Sequence, residues 1–224
     1  MATRKALLAT GEIYHVFNRS IARQPIFSNI RANNRFRHTA DFYRFENSPM
    51  RYSHLIRLKP EIQSQVLDKL YSSGVKSVTL FAFAIMPNHF HFLLRQEREF
   101  GIKRFLSQVQ NSYAKYYNTK SDRSGSVFQE MFKAVRIETD EQFIYVARYI
   151  HLNPITSYIL KTPEELIEHP WTSLSCYVGK TNVPFLDTNM LLSHFKNKPE
   201  LKNFTFDQVD YQRELDKIKH LTFE

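Results

Sequence analysis

The chain has 224 residues, of which 42% are hydrophobic and 14% aromatic. This is enough apolar material for a folded core, and it excludes a disordered tail protein. Lys and Arg number 31 against 22 Asp and Glu, which gives a formal net charge of +9. So basic a chain favours a polyanionic partner, of which nucleic acid is the commonest. The single cysteine, Cys176, excludes an internal disulfide and a cysteine-based zinc cluster.

Hydropathy and length predict the cellular location and the domain organisation of the protein. The N-terminal sequence MATRKALLATGEIYHVF has only a short apolar run, and no later stretch approaches the ~18 apolar residues of a membrane span. We therefore expect a soluble, cytoplasmic protein with no membrane partner. We expect one core over residues 1–178, with a basic insertion at about 29–60, and a C-terminal helical extension over residues 179–224.

Periodicity predicts the secondary-structure elements in chain order. Residues 11–19 alternate as a strand, and residues 61–71 have helical spacing. Residues 77–86 and 89–95 form two strands that are joined by a Pro-Asn turn. Residues 102–117 form an amphipathic helix, residues 119–126 a polar loop and residues 133–138 a short strand.

A further helix begins at Thr139, where Thr139 and Gln142 have the spacing of a capping box. We expect this helix to end near Asn153, because Pro154 disfavours the helical conformation in the residue before it. The order of strands and helices predicts an α+β fold, in which an antiparallel sheet carries helices on one face.

The positive charge is concentrated between residues 19 and 59, where nine basic residues oppose only Asp41 and Glu46. Eight of the nine are arginines, whose planar guanidinium suits bidentate phosphate contacts. Aromatic residues between them are suited to stacking on unpaired bases. The alternative is a solvated basic helix with its aromatics in the core. We favour DNA contact, and the residues predicted to make it here and around the following amphipathic helix are Arg19, Arg23, Arg31, Arg35, Arg37, Lys103, Arg104, Lys115 and Arg123.

Two histidines on a predicted strand are candidate metal ligands. His89 and His91 are two residues apart, so both imidazoles point to one face while Phe90 and Phe92 point to the other. Two imidazoles on a rigid strand supply two ligands for a divalent ion. Taken alone, histidines at this spacing are more often ordinary surface residues.

The helix after Thr139 carries Tyr145, Tyr149 and Asn153 on one stripe, at four-residue spacing. Tyr149 is a candidate nucleophile, and Asn153 is a candidate oxygen ligand one turn later. Periodicity alone favours a packed aromatic for Tyr149 and a helix C-cap for Asn153. Rival nucleophiles on the preceding helix are Tyr113, Tyr116 and Tyr117.

Four ordered stretches resemble the single-tyrosine HUH transposases, the IS200-like transposase family, and most closely its branch of REP-associated tyrosine transposases. They are residues 14–19 (YHVFNR), 84–94 (AIMPNHFHFLL), 124–133 (SGSVFQEMFK) and 148–154 (RYIHLNP). Residues 171–173 (WTS) also resemble a motif of that family. The similarity covers roughly residues 11–28 and 78–178.

The resemblance implies a ferredoxin-like antiparallel sheet, the HUH endonuclease core. It implies that His89, His91 and Asn153 bind Mg²⁺ or Mn²⁺ and that Tyr149 is the nucleophile. The implied reaction is cleavage and rejoining of single-stranded DNA at hairpin sites through a 5′-phosphotyrosine intermediate. A monomer is favoured, and a dimer is possible. Two alternatives are a domesticated hairpin DNA-binding protein with little or no catalysis and an RNA-binding ferredoxin-like module.

Overall fold

The computed structural model describes residues 8–209 of the chain. Within them, four strands form an antiparallel sheet in the order β2-β3-β1-β4. The strands are β1 (Ile13–Arg19), β2 (Val78–Met86), β3 (His89–Gln96) and β4 (Lys133–Ile137).

Helices precede, separate and follow the strands. After β1 and a short 3₁₀ turn at Ile21–Arg23 come α1 (Ile30–Tyr43), α2 (Tyr52–Leu55) and α3 (Pro60–Ser73). The helix α4 (Gly101–Lys120) lies between β3 and β4. The helices after β4 are α5 (Asp140–Thr156), α6 (Pro163–Glu168), α7 (Leu174–Tyr177), α8 (Asn189–Leu192) and α9 (Lys198–Phe206). No helix within residues 8–209 combines the length and apolarity needed to cross a membrane.

One face of the sheet, which we call the core face, is covered by α1 and α4. Phe92 of β3 packs against Phe36 of α1 and Phe105 of α4, with ring centroids 5.9 Å and 5.8 Å apart. Phe90 packs against the same Phe36, at 5.0 Å. These rings are almost fully buried, so the core face holds the main apolar cluster of the protein.

The opposite face, which we call the histidine face, is covered by α5. Phe143 of α5 packs against Phe81 of β2 with ring centroids 5.4 Å apart, and Ile150 joins the same apolar cluster. The predicted α+β class with a ferredoxin-like antiparallel sheet is confirmed. The prediction of helices on one face is wrong, because α5 also buries apolar side chains, and it packs them on the face opposite to α1 and α4.

The end of α5 differs from the sequence prediction. An end near Asn153 is wrong, because the helix continues through Pro154 to Thr156. Proline removes one backbone donor, but Ile155 and Thr156 are buried and the helix stays hydrogen-bonded beyond it. The amide of Ser157 donates to the carbonyl of Asn153 at 3.0 Å. Burial of the last turn therefore outweighs the local preference of proline.

The outer edge of β2 is covered by residues 171–173. The amide of Ile85 donates to the carbonyl of Trp171 at 2.8 Å, and the amide of Ser173 donates to the carbonyl of Phe83 at 3.0 Å. The WTS motif is thus a short strand-like extension of the sheet.

The chain after residue 178 packs against α5 through apolar side chains. Leu191 of α8 and Leu201 of α9 are buried in the cluster of the histidine face. The domain boundary between residues 178 and 179 stays a prediction. The first seven residues of the predicted core and residues 210–224 of the predicted extension lie outside the described residues.

Candidate active site

Strand β3 holds His89 and His91 side by side on the histidine face. Their ring centroids are 5.0 Å apart, and the rings are nearly perpendicular at 79°. His91 is buried, and His89, the first residue of the strand, is half-buried. The sheet pairs His91 with Phe17 of β1 and with Ala84 of β2, so neighbours on both sides fix the position of its backbone.

His15 of β1 adds a third imidazole to the site. Its Nε2 and the Nδ1 of His91 share a hydrogen bond of 2.9 Å, and the two rings stack with centroids 5.1 Å apart. Phe17, two residues further along β1, stacks on His91 at 5.4 Å. The hydrogen bond with His15 orients the ring of His91 and selects the tautomer that it adopts.

The sequence pattern did not identify His15 as a site residue. Strand alternation placed it on one face of β1, but the choice of β3 as the neighbouring strand depends on the tertiary fold. The two histidines are 76 residues apart in the sequence. Only a prediction of the β1–β3 register, with His15 opposite Leu93, would have identified the contact.

Helix α5 places Tyr149 against the histidines. The Tyr149 ring is half-buried and lies 5.8 Å from the rings of both His91 and His15, edge to face with each. Thr139 begins this helix, as the capping box predicts: its side chain accepts a hydrogen bond from the amide of Gln142 at 3.1 Å. The start of α5 and its apolar stripe together aim Tyr149 at β3.

Asn153 lies one helical turn after Tyr149 and beside His89. Its side chain is buried, donates to the carbonyl of Tyr149 at 3.3 Å and interacts with the imidazole of His89. The pKa of His89 is lowered to about 4: burial is the main cause, the charge of Arg19 adds to the lowering, and the interaction with Asn153 opposes it. The imidazole of His89 is therefore neutral at pH 7, the form that binds metal ions.

The rival tyrosines occupy other positions. Tyr113 is buried in the core-face cluster, where its hydroxyl donates to the carbonyl of Ile26 and burial raises its pKa. Tyr116 and Tyr117 lie on the same helix and pack against that cluster. Tyr145 stacks on Phe204 of α9 with centroids 5.9 Å apart. Tyr149, by contrast, contacts two histidines.

The donor set at this site fits a weakly held divalent ion. His89, His91 and Asn153 supply two imidazoles and an amide, and the amide of Asn153 is already within hydrogen-bond reach of His89. Among residues 8–209 there is no group of three or more His, Cys, Asp and Glu side chains arranged to hold a metal ion. Without a carboxylate in the set, anionic ligands for the ion would come from a bound phosphate.

A buried histidine anchors α5 to the edge of the sheet. Nε2 of His151 hydrogen-bonds with Oγ of Ser173 at 2.8 Å, and that oxygen accepts the amide hydrogen of Phe83 at 2.9 Å. Burial lowers the pKa of His151 to about 3, so it is neutral. The network ties the helix that carries Tyr149 to β2.

The arginines and lysines predicted to bind DNA are spread over several elements. Arg37 donates to the carbonyl of Pro170 at 3.2 Å, Arg104 pairs with Glu46 at 3.0 Å, and Arg123 donates to Gln24 at 3.0 Å. Arg35 is half-buried with its guanidinium over Tyr52. The exposed members of the set are Arg19, Arg23, Arg31, Lys103 and Lys115. The structure does not gather the set at the histidines, and its role stays a prediction.

Comparison with known proteins identifies a transposase-like segment. Residues 56–153 match a protein family described as Transposase IS200 like. The matched segment ends at Asn153, and it also contains His89, His91 and Tyr149. The resemblance of the sequence to IS200-like transposases is thereby confirmed.

A solved structure has a similar fold over most of the chain. It is described as "Structure of the REP associates tyrosine transposase bound to a REP hairpin". The TM-score is 0.50 at 12% sequence identity, and the alignment covers 84% of this chain and 98% of that one. At this identity the likeness shows the fold alone. No curated protein matches the chain.

Proposed function

We propose that this protein cleaves and rejoins single-stranded DNA at hairpin sites through a covalent bond to Tyr149. The observation that carries the proposal is the position of the Tyr149 ring, 5.8 Å from that of His91 and one helical turn from Asn153. The match of residues 56–153 to IS200-like transposases supports strand transfer as the reaction. The similar fold of a tyrosine transposase bound to a REP hairpin supports hairpin DNA as the substrate.

His89, His91 and Asn153 are the residues that would hold Mg²⁺ or Mn²⁺. When bound, the ion would offset the negative charge that builds up on the scissile phosphate. His15 has a positioning role in this scheme, because its hydrogen bond holds the His91 ring in one orientation and one tautomer. The low pKa of His89, about 4, keeps its ring available as a ligand throughout the neutral range.

Tyr149 supplies the nucleophile. Its phenolic oxygen forms a bond to the phosphorus, and the bond from phosphorus to the 3′ oxygen of the preceding nucleotide breaks. The phenol gives up its proton and the departing oxygen gains one, which leaves a free 3′-hydroxyl and a 5′-phosphotyrosine. The phosphodiester is exchanged rather than hydrolysed, so a 3′-hydroxyl can attack the phosphotyrosine and rejoin the strand.

A covalent-adduct assay tests the proposal. The full chain is incubated with Mn²⁺ and labelled hairpin oligonucleotides that carry single-stranded flanks, and adducts are separated on a denaturing gel. We expect an adduct with the wild type and none with Tyr149→Phe, which removes the nucleophilic oxygen and keeps the ring. Tyr145→Phe is the matched control, because that tyrosine lies one turn earlier on α5 and stacks on Phe204.

Two results would count against the proposal. An adduct that persists in Tyr149→Phe rejects Tyr149 as the nucleophile. Tight hairpin binding with no adduct at any Mn²⁺ concentration favours a hairpin-binding protein without catalysis, and such binding should survive His89→Ala.

A further inference from the structure

A basic groove lies among the helices that cover the core face, so it is on the opposite side of the sheet from the histidines. It is a cavity of about 780 Å³ between α4 and residues 48–57, the segment that contains α2. Cavities of ~300–1,000 Å³ commonly bind molecules or groups of nucleotide size. We call this cavity the basic groove.

The groove is strongly positive. Arg35 of α1, Arg51 and Arg57 of the 48–57 segment, and Lys115 and Lys120 of α4 all line it. Among the described residues that line it, none is acidic. Elsewhere in the basic insertion Arg44 is neutralised by Asp41, at 2.9 Å. The groove therefore carries positive charge that no acidic lining residue offsets, which favours an anionic ligand.

The groove wall also contains buried polar atoms with unmet hydrogen-bonding capacity. Within residues 8–209, Nε of Arg35, the hydroxyl of Tyr116 and Oε1 of Gln108 have no hydrogen-bond partner. All three residues line the groove. A buried polar atom without a partner costs about 1–3 kcal/mol, which a fold tolerates where a ligand supplies the missing partner.

Aromatic and apolar side chains complete the wall. The Arg35 guanidinium lies over the ring of Tyr116, a lining residue, 5.3 Å from its centroid, and over that of Tyr52, a buried residue that does not line the groove, at 4.5 Å. Met50 and Ile56 line the groove on the side of α2. Proteins that bind single-stranded nucleic acid combine cationic side chains, which contact phosphates, with aromatic and apolar surfaces, which contact bases.

We infer that the basic groove binds the single-stranded DNA that flanks the hairpin. The identity of this substrate rests on the proposed function. The phosphates lie along Arg51, Arg57, Lys115 and Lys120, and unpaired bases enter the wall near Tyr116. A duplex stem presents its bases already paired, so it has no base to place in such a cavity. Because the sheet separates the groove from Tyr149, the groove contributes to DNA binding and not to bond cleavage.

Fluorescence anisotropy with a labelled oligothymidylate tests the inference. The probe has no hairpin and the buffer contains EDTA, so neither hairpin recognition nor cleavage affects the result. We expect Arg51→Glu and Lys115→Glu each to weaken binding about tenfold and to lower the salt dependence by about one unit of slope. Lys69→Glu is the matched control: it makes the same charge change at an exposed site on α3 and should alter affinity less than about twofold.

Tyr116→Phe separates a ligand-binding role from a purely structural one. It removes the unpartnered hydroxyl and keeps the ring, so we expect weaker oligothymidylate binding together with unchanged or higher thermal stability. Equal losses in the groove variants and in Lys69→Glu would overturn the inference, as would unchanged binding in Tyr116→Phe. Preference for oligouridylate over oligothymidylate would overturn the assignment to DNA. A failed adduct assay with groove-dependent oligothymidylate binding would reject the cleavage reaction alone.

Discussion

The two faces of β3 present different side chains from one shared backbone. Phe90 and Phe92 point into the core face, where each contacts several other aromatic rings. His89 and His91 point to the histidine face, where they meet Tyr149 and Asn153. Both faces carry an apolar cluster, but only the histidine face adds the polar groups of the candidate site. Alternation along one strand thus places the phenylalanines in the core and the histidines at the site.

The largest difference between the faces should appear when each is truncated. We expect Phe92→Ala to lower the free energy of unfolding by about 3–5 kcal/mol, because it leaves a cavity among Phe36, Phe90 and Phe105. His89→Ala, on the same strand, should cost less than about 1.5 kcal/mol, since that ring is half-buried. Urea unfolding followed by circular dichroism measures both. Equal losses would show that the two faces are not energetically distinct.

A pH series tests whether the histidine face also contains a purely structural histidine. His151 has a pKa of about 3 in the fold, against about 6.5 in the unfolded chain. Between these pH values only the unfolded state binds a proton at His151. The folded state therefore has its full stability from this group above about pH 6.5 and loses that stability as the pH falls towards 3. We expect roughly 2–3 kcal/mol of acid destabilisation near pH 4.5 from this group.

The control for that series is His151→Gln, which keeps a polar side chain and does not titrate. Its free energy of unfolding should fall less steeply between pH 7 and about pH 4.5 than that of the wild type. Parallel pH profiles for the two proteins would assign the acid sensitivity to other groups.

A smaller effect should follow from the contact between His15 and His91. We expect His15→Leu to weaken Mn²⁺ binding about 10- to 100-fold, because His91 loses the hydrogen bond that orients its ring. Calorimetric titration of the full chain with Mn²⁺ measures this without reference to activity. Phe17→Leu, which removes the ring stacked on His91 but no hydrogen bond, is the control and should change affinity less.

The smallest effect concerns the start of α5. Thr139→Ala removes the oxygen that accepts from the Gln142 amide and should cost about 1 kcal/mol of unfolding free energy. Thr139→Ser keeps the hydroxyl and should lose much less. If both variants were equally unstable, the methyl group of Thr139 rather than its hydrogen bond would be responsible.

The sequence predicts those features that depend on neighbours along the chain. Alternation gives β2 and β3, and it correctly puts His89 and His91 on one face. The capping box gives the start of α5. The end of α5 escapes prediction, because burial of Ile155 and Thr156 overrides the preference set by Pro154. The contact of His15 with His91 and the basic groove both join segments distant in sequence, so no local pattern contains them.

The pairing of residues 171–173 with the outer edge of β2 also affects aggregation. Because residues 171–173 already use its backbone hydrogen bonds, another chain would have to displace them to extend the sheet there. The opposite edge is β4, a strand of five residues with exposed Lys133 and Arg136. Short, charged edge strands resist pairing with strands of other molecules. One edge is covered and the other is short and charged, so both edges of the sheet are protected from pairing with strands of other molecules.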